Sequence, residues 1–240
     1  MTLRDQRVVV IGGTSGIGFA VAERALAEGA YVVVGSSSAE KVAAARAKLP
    51  DLKAQAIDVR HEASVAEFFK TVGAFDHLVH TAGDWGGFGG APVGQVDIAG
   101  AASLFAVRFW GAIAAIKHAA GNIRAGGSIT LTDGMIAHRP RKGAAVVSAM
   151  AGAVEHLTQA LAVELAPVRV NAVCPGAIRT DIWNSIPPEQ REARFKHMTE
   201  RLPIARIGEP GEVVEAYLYL MRGGYTTGQI LRVDGGQSAV

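Results

Sequence analysis

Short apolar runs rich in β-branched residues alternate along the chain with longer amphipathic or alanine-rich stretches. The pattern predicts seven strands, at Val8–Ile11, Tyr31–Val34, Ala54–Ile57, His77–Val79, Ser128–Leu131, Val168–Val173 and Ile230–Val233. Six helices are predicted between them, at Gly16–Glu28, Ala39–Lys48, Ala63–Val72, Ala101–Ala119, Ala149–Leu165 and Gly211–Met221. Strands that are apolar at almost every position are typical of a parallel sheet buried on both sides. The predicted fold class is α/β, a doubly wound parallel sheet of about seven strands with helices on both faces.

Composition narrows the function classes. The 240 residues are 49% hydrophobic and 19% charged, which favours one folded domain over residues 1–240. A net charge of +2 with scattered basic residues argues against nucleic acid or a membrane as partner, so we expect a small molecule. We also expect no membrane span, because no apolar run approaches the roughly 20 residues required.

Two further features concern localisation. The first predicted strand begins within a few residues of Met1, which leaves no room for a targeting segment. Cys174 is the single cysteine, which excludes an intramolecular disulfide and fits a reducing compartment. A cytoplasmic protein is the expectation.

A glycine-rich loop joins the first strand to the first helix, reading Gly-Gly-Thr-Ser-Gly-Ile-Gly over residues 12–18. Glycines allow a sharp turn and a close approach to a pyrophosphate, which the amides and dipole of the helix N-terminus stabilise. The same loop by itself also fits a simple tight turn from strand to helix. Its position favours a Rossmann-type dinucleotide site.

Five separated motifs resemble the short-chain dehydrogenase/reductase family. They are the fingerprint Thr-Gly-x-x-x-Gly-x-Gly at Gly12, Gly16 and Gly18, the pair Asp58-Val59, the segment His80-Thr81-Ala82-Gly83, the run from Val170 to Thr180, and the ending Gly228 to Gly236. Ile11 replaces the usual threonine, and His80-Thr81 replaces an asparagine pair. The resemblance extends over nearly the whole chain.

The resemblance implies a set of cofactor-binding residues. Ile178 and Thr180 would hold the nicotinamide carboxamide and the neighbouring phosphate. The full set is Gly12, Thr14, Ser15, Gly16, Ile17, Gly18, Ser36, Ser37, Ser38, Asp58, Val59, Ala82, Gly83, Pro175, Gly176, Ile178 and Thr180.

The end of the second strand predicts NADP(H) as the cofactor. An acidic residue there would accept from the ribose 2′-hydroxyl and repel a 2′-phosphate. This chain has Ser36-Ser37-Ser38 followed by Lys41 instead. The hydroxyls and the amides that open the next helix can donate to a phosphate, although the serines also suit a capping role.

The four catalytic positions of the family are all changed. The tail of the fifth predicted helix fixes the register, which puts Val147 at the tyrosine position and Ala151 at the lysine position. Gly134 stands where the catalytic serine is expected, and Arg108 replaces the asparagine. The resemblance therefore implies an atypical member that lacks the Asn-Ser-Tyr-Lys tetrad.

Several polar residues are candidates to replace the tetrad. Asp133 could exchange a proton or cap the following turn, and Arg108 could hold an anionic group, neutralise Asp133 or be structural. Ser148 more naturally caps its helix, and His138 more naturally lies in a solvated basic turn. His80 lies beside the cofactor segment, and Trp85 and Phe88 could shape a pocket or cover the sheet edge. The histidines show no metal-ligand spacing, so we predict no metal.

Three functions remain open at this stage. The first is an NADP(H)-binding oxidoreductase that acts on a small carbonyl or alcohol by an atypical mechanism, with Asp133 and Arg108 as its catalytic residues. The second is a non-catalytic NADP(H) sensor or scaffold, and the third is lyase or isomerase chemistry on the same fold. The family also implies a homo-oligomer, a dimer or tetramer, through Ala101–Ala119 and Ala149–Leu165.

Overall fold

The seven strands lie in one parallel sheet. The computed structural model describes residues 2–83 and 90–240. Its strands are β1 (Arg7–Ile11), β2 (Tyr31–Ser36), β3 (Lys53–Ala56), β4 (Phe75–His80), β5 (Ile123–Thr132), β6 (Arg169–Pro175) and β7 (Ile230–Val233). They are arranged in the order β3-β2-β1-β4-β5-β6-β7, with every neighbouring pair parallel. The predicted α/β fold class is confirmed.

The strand order creates a crevice between β1 and β4. The chain runs outward from β1 to β3 and then returns to place β4 on the other side of β1. The connection that follows β1 and the connection that follows β4 therefore run towards opposite edges of the sheet. In open α/β sheets, ligands bind at such a switch point, outside the carboxyl ends of the strands.

Helices cover both faces of the sheet. They are α1 (Gly16–Ala27), α2 (Ala39–Lys48), α3 (Glu62–Val72), α4 (Ile98–Phe105), α5 (Gly111–Ala119), α6 (Ala145–Glu164), α7 (Pro188–Thr199) and α8 (Pro210–Arg222). One core contains buried residues of α1, α2 and α8, and the other contains those of α3, α5 and α6. Strand β1 shows the division, since Val8 and Val10 lie in the first core and Val9 and Ile11 in the second.

Three helices differ from the predictions. The predicted helix Ala101–Ala119 begins at Ile98 and is interrupted by a π-helical segment, Ala106–Trp110. Helix α6 begins at Ala145, four residues before the predicted Ala149. Helix α7 was not predicted, because its charged sequence buries only Phe195 and gives little hydrophobic periodicity. Trp85 and Phe88 lie outside the described residues.

The expectation about apolar length was wrong. Two helical stretches, Ile98–Asn122 and Ala145–Glu164, have the length and hydropathy that a membrane span requires, with mean hydropathies of 1.6 and 1.3. Only 28% of each apolar window is buried within the chain. Alanine-rich helices with two apolar sides explain the difference, because they bury one side against the sheet and leave the other exposed.

A buried histidine joins β4 to β5. His77 is 2% exposed, and its Nδ1 and Nε2 lie 2.9 Å from Ser128 Oγ and 3.1 Å from Gln6 Oε1. The amide oxygen of Gln6 can only accept, so Nε2 carries the proton and Nδ1 accepts from the hydroxyl. Burial lowers the pKa of His77 from 6.5 to about 4. The neutral ring is therefore the form that the fold accommodates.

His77 predicts a loss of stability in mild acid. Below about pH 6.5 the unfolded chain binds a proton at His77, whereas the folded chain does so only near pH 4. The free energy of unfolding should fall as the pH falls through this window. Urea unfolding should show that His77→Asn flattens the dependence by on the order of 1 kcal/mol per pH unit. The matched variant His197→Gln, at an exposed position of α7, should retain the wild-type slope; equal slopes in all three proteins would contradict the assignment.

Candidate cofactor and active site

The loop after β1 approaches the backbone of the segment after β4 too closely for any side chain. A methyl group at Gly12 would come 2.5 Å from the amide nitrogen of Ala82, and one at Gly18 would overlap Thr81 Oγ1 and the Gly12 carbonyl oxygen. Gly12 and Gly16 also have φ values of +86° and +54°, which favour glycine. Glycine is therefore required here by both space and conformation.

Hydrogen bonds fix the two sides of the crevice together. The amides of Thr81 and Ala82 donate to the Ile11 carbonyl at 2.8 and 3.0 Å, and Thr81 Oγ1 donates to the same oxygen at 3.1 Å. Thr81 thus replaces an asparagine of the family while binding the end of β1. Ser15 is the N-cap residue of α1, and its side chain makes no capping hydrogen bond. Its hydroxyl and the amides of the first turn of α1 can donate hydrogen bonds to an anion.

The end of β2 divides its three serines between two roles. Ser38 Oγ accepts from the Lys41 amide at 3.2 Å as the N-cap of α2, and Ser36 Oγ accepts from the Ser38 amide at 3.3 Å. Ser37 is exposed. The capping interpretation is therefore confirmed for Ser38, whereas Ser37 is exposed and phosphate binding by it stays a prediction.

The pair after β3 has a fixed carboxylate and a buried valine. Asp58 accepts from the amide, Nε and Nη2 of Arg60 at 3.0, 2.9 and 2.7 Å. These hydrogen bonds lower the pKa of Asp58 to about 2. Val59 is 7% exposed and packs where a side chain on Gly111 would otherwise be.

The far side of the crevice begins at the end of β6. Pro175 is buried, and the Gly176 amide donates to the Val233 carbonyl at 2.9 Å. A methyl group at Gly16 would lie 3.3 Å from Thr180 Cβ, so Thr180 reaches the glycine loop. Ile178 forms a bridge to Gly208. A cavity of about 240 Å³ adjoins Thr180, with Arg179, Trp183, Arg191 and Phe195 among its lining residues.

The positions assigned to the proton-transfer pair lie on the buried side of α6. Val147 is 7% exposed and Ala151 is 3% exposed, and neither side chain ionises. Gly134, at the end of β5, lies in open space, since no atom of the described chain is within 4 Å of where its Cβ would be. The space for a side chain at this position is therefore present, although the side chain is not.

Arg108 lies within the π-helical segment and points at the cofactor crevice. Its guanidinium occupies the space beside Gly83, where a methyl group would come 2.5 Å from Cζ. Burial, followed by the charge of Arg108, lowers the pKa of His80 at the end of β4. Short π segments often mark functional sites.

Asp133 turns away from the open side of the crevice. It is 4% exposed, and both carboxylate oxygens are buried without a hydrogen-bond partner among the described residues. Burial, followed by the neighbouring Glu155, raises the pKa of Asp133 to about 8. Asp133 therefore faces the interior beside α6 and Cys174, while Arg108 faces the cofactor loop.

Two polar candidates differ from their predictions. The basic turn is exposed at residues 139–142, as predicted, but His138 itself is half-buried, with its Nε2 2.6 Å from Glu155 Oε1 and its side chain only 22% exposed. Ser148 does not cap α6, because the helix begins earlier, after Ala144, and Ser148 Oγ is buried within it with no hydrogen-bond partner in the described part of the chain. Glu155 was missed, since a single carboxylate on an alanine-rich helix carries no sequence signal.

His80 is buried at the end of β4. It is 3% exposed, and burial together with the charge of Arg108 lowers its pKa to about 4. The ring is therefore neutral at physiological pH and adds no second cation beside Arg108.

Comparison with known proteins identifies the family. The family model described as Enoyl-(Acyl carrier protein) reductase matches residues 12–238. The chain is 33% identical to the short-chain dehydrogenase/reductase ATR9 of Stachybotrys chlorohalonatus, over 98% of both chains. It is 36% identical to a putative ketoacyl reductase of granaticin polyketide synthase from Streptomyces violaceoruber, over 95% of this chain and 94% of that one.

Solved structures give the same result. A small-chain dehydrogenase in complex with NADPH is 34% identical and superposes with a TM-score of 0.85, covering 98% of this chain and 100% of that one. The MalC Reductase/Diels-Alderase from Malbranchea aurantiaca is 30% identical with a TM-score of 0.89, covering 97% and 96%. Sequence and fold agree over almost the whole length, and the chain belongs to the short-chain dehydrogenase/reductase family of oxidoreductases.

Proposed function

We propose that the protein is an NADP(H)-dependent oxidoreductase acting on a small carbonyl or alcohol. The observation that carries this proposal is the glycine loop, where the backbone of Gly12 and Gly18 lies against Thr81 and Ala82 at the switch point between β1 and β4. The exposed Ser37, with no carboxylate at the end of β2, favours NADP(H) over NAD(H). The NADPH complex of a 34% identical relative supports the same choice.

The proposed mechanism lacks the family's proton-transfer pair. We assign the tyrosine and lysine positions to Val147 and Ala151, both buried and without ionisable groups. A bound NADPH supplies a hydride to the carbonyl carbon. That transfer depends mainly on positioning, and a general acid contributes roughly 10²- to 10⁴-fold to such reactions. Loss of the pair therefore lowers the rate without removing the reaction.

Arg108 is the residue best arranged to act on the substrate oxygen. Its guanidinium beside Gly83 is within the crevice, and it stays charged at any physiological pH. It would hold the carbonyl oxygen and stabilise the negative charge that develops there. Water then protonates the oxygen and is left as hydroxide, which balances the step. The prediction from the sequence that Asp133 is also catalytic is tested in the turnover assay described below.

A second candidate function is a non-catalytic NADP(H) sensor or scaffold. The buried apolar side chains of Val147 and Ala151 favour it, because they preserve the fold around the cofactor without any proton-transfer group. The two functions share cofactor binding and differ in turnover. The buried free thiol of Cys174 supports a reducing, cytoplasmic location for either.

We also propose a homo-oligomer. Trp110 is 61% exposed and Val163 is 81% exposed, and they lie on the two apolar helical stretches whose outer sides the described residues leave uncovered. Exposed apolar surface of this extent is typical of an interface. Pairing with a second copy covers it without a membrane.

The cofactor preference predicts the effect of a charge at Ser37. Wild-type protein should bind NADPH more tightly than NADH in calorimetry. Ser37→Asp should reverse the order, because a carboxylate repels the 2′-phosphate and accepts from a 2′-hydroxyl. Ala44→Asp adds the same charge at an exposed position of α2 and should leave the preference unchanged. A tenfold preference of the wild type for NADH would exclude this assignment.

The assignment of Arg108 predicts a loss of turnover. NADPH oxidation is measured with a panel of small ketones, aldehydes and quinones, on which we expect weak activity. Arg108→Ala should lower turnover by roughly 10²- to 10³-fold, since one electrostatic donor is lost, with smaller effects on NADPH affinity. Asp133→Asn tests the other predicted residue, and Val147→Ala is the control that should retain turnover. Turnover that survives both the Arg108 and Asp133 changes would refute the site, and no turnover on any carbonyl would favour the sensor.

The oligomer predicts a mass that is a multiple of the 25.0 kDa chain. Light scattering at micromolar concentration should give a dimer or tetramer. Val163→Glu should shift the protein towards the monomer, because a carboxylate at the interface is costly to bury. Tyr225→Glu, at a fully exposed position away from these helices, should not. A monomeric wild type would contradict the proposal.

A further inference from the structure

A row of polar side chains crosses three neighbouring strands on the face covered by α6. Thr132 pairs with Val173, and the Asp133 amide donates to the Val173 carbonyl at 2.9 Å, so Asp133 lies level with Cys174. Cys174 pairs in turn with Arg232 on β7. Cys174 follows Val170 and Ala172 on the face that belongs to the core of α6. A carboxylate, a thiol and a guanidinium therefore stand side by side at the carboxyl edge of the sheet.

Two further polar side chains lie over this row, on the side of the sheet that α6 covers. Glu155 comes from α6, and His138 comes from the turn that follows β5, with its Nε2 2.6 Å from Glu155 Oε1. One potential ligand atom each of Asp133, His138, Glu155 and Cys174 lies within 4.8 Å of the others. A histidine nitrogen, a thiol sulfur and two carboxylate oxygens thus surround a single point.

Asp133 lacks the partners that a buried carboxylate requires. It is 4% exposed, and neither oxygen has a hydrogen-bond partner within the described chain. Its nearest polar groups include Glu155, a second carboxylate, and the Cys174 thiol. Buried charged groups are paired, coordinate metals or become neutral. The arrangement therefore requires either a retained proton or a cation among these groups.

We propose that Asp133, His138, Glu155 and Cys174 form a binding site for a divalent transition-metal ion of the zinc type. Zinc takes nitrogen, sulfur and carboxylate oxygen ligands at about 2.0–2.3 Å in tetrahedral geometry, so the ligand atoms must draw together by on the order of 1 Å from the widest separation seen. All four positions come from the protein, which is typical of a structural site. The ion would tie α6 and the turn after β5 to β6, beside the crevice.

The site lies beside the crevice and shares Asp133 with the sequence-based catalytic prediction, whereas Arg108 and the glycine loop are not part of it. Metal binding can be measured on protein without cofactor or substrate, so its outcome does not depend on turnover.

Arg232 allows a second test, in which a substitution should strengthen metal binding instead of weakening it. Its Nη2 lies 3.3 Å from His138 Nδ1 and can only donate, so His138 carries its proton on Nε2. Metal ligation through Nε2 moves that proton to Nδ1 and breaks the contact with Arg232. The guanidinium therefore competes with the ion, both through this hydrogen bond and through its charge.

The test titrates metal-free protein with Zn²⁺ in calorimetry and with Co²⁺ in absorption spectroscopy. Wild type should bind one ion per chain, release protons on binding, and show a tetrahedral Co²⁺ spectrum with a thiolate charge-transfer band. Cys174→Ser should lose that band. Asp133→Asn and His138→Gln should weaken Zn²⁺ binding by more than the roughly 10- to 100-fold that loss of an outer partner costs. Arg232→Gln should strengthen it, because its amide oxygen can accept from Nδ1–H.

His156→Gln is the matched control, since it removes an exposed histidine from the next position of α6. It should leave Zn²⁺ binding and the Co²⁺ spectrum unchanged. If Asp133→Asn fails to fold, His138→Gln carries the test, because His138 lies in a partly exposed turn. The proposal is overturned if wild type binds no ion more tightly than His138→Gln does, or if the thiolate band persists in Cys174→Ser.

Discussion

The structure depends on one close contact, in which the backbone of the loop after β1 lies directly against the segment after β4. The Ile11 carbonyl accepts three hydrogen bonds from Thr81 and Ala82, and the absence of side chains at Gly12 and Gly18 allows this approach. The connections that follow β1 and β4 run to opposite sides of the sheet, so this contact lies at the switch point of the strand order. Thr180 then reaches the same loop from β6, so both halves of the sheet meet at one set of glycines.

The two halves of the carboxyl edge have different chemistry. On the side of β1 and β2, backbone amides, the Ser15 hydroxyl and the exposed Ser37 suit an anionic dinucleotide. On the side of β5 and β6, the residues assigned to proton transfer are Val147 and Ala151, which pack into the core. The charge on that side is carried by Arg108, from a π-helical segment, and by the row that includes Asp133. Backbone groups therefore supply much of the proposed dinucleotide site, whereas the proposed reaction depends on a few side chains.

The sequence predicted the sheet well because local composition decides it. Strands buried on both faces are apolar at almost every position, so each can be recognised from its own residues. The glycine loop can be recognised in the same way, because its close backbone contacts require glycine at fixed positions. Helix α7 escaped prediction because it buries only Phe195. The pairing of His138 with Glu155 also could not be predicted, because it joins residues 17 positions apart and depends on the residue at which α6 begins. The family resemblance put Arg108 at the asparagine position, and its guanidinium lies beside Gly83, while its role in the site stays a prediction.

In the proposed alignment, Ala151 takes the place of a lysine of the family while Asp133 adds a carboxylate, and these two differences would make opposite electrostatic demands on the same edge of the sheet. A lysine would supply a fixed positive charge within α6, and its absence leaves Arg108 and Arg232 as cations whose fields reach the groups around Asp133. Arg108 is directed at the cofactor segment, and Arg232 contacts His138. Neither guanidinium is within hydrogen-bonding distance of the Asp133 carboxylate. The Asp133 carboxylate must therefore be balanced from inside the cluster, by a proton shared with Glu155 or by an ion, and this requirement links the carboxyl edge of the sheet to the interior polar row.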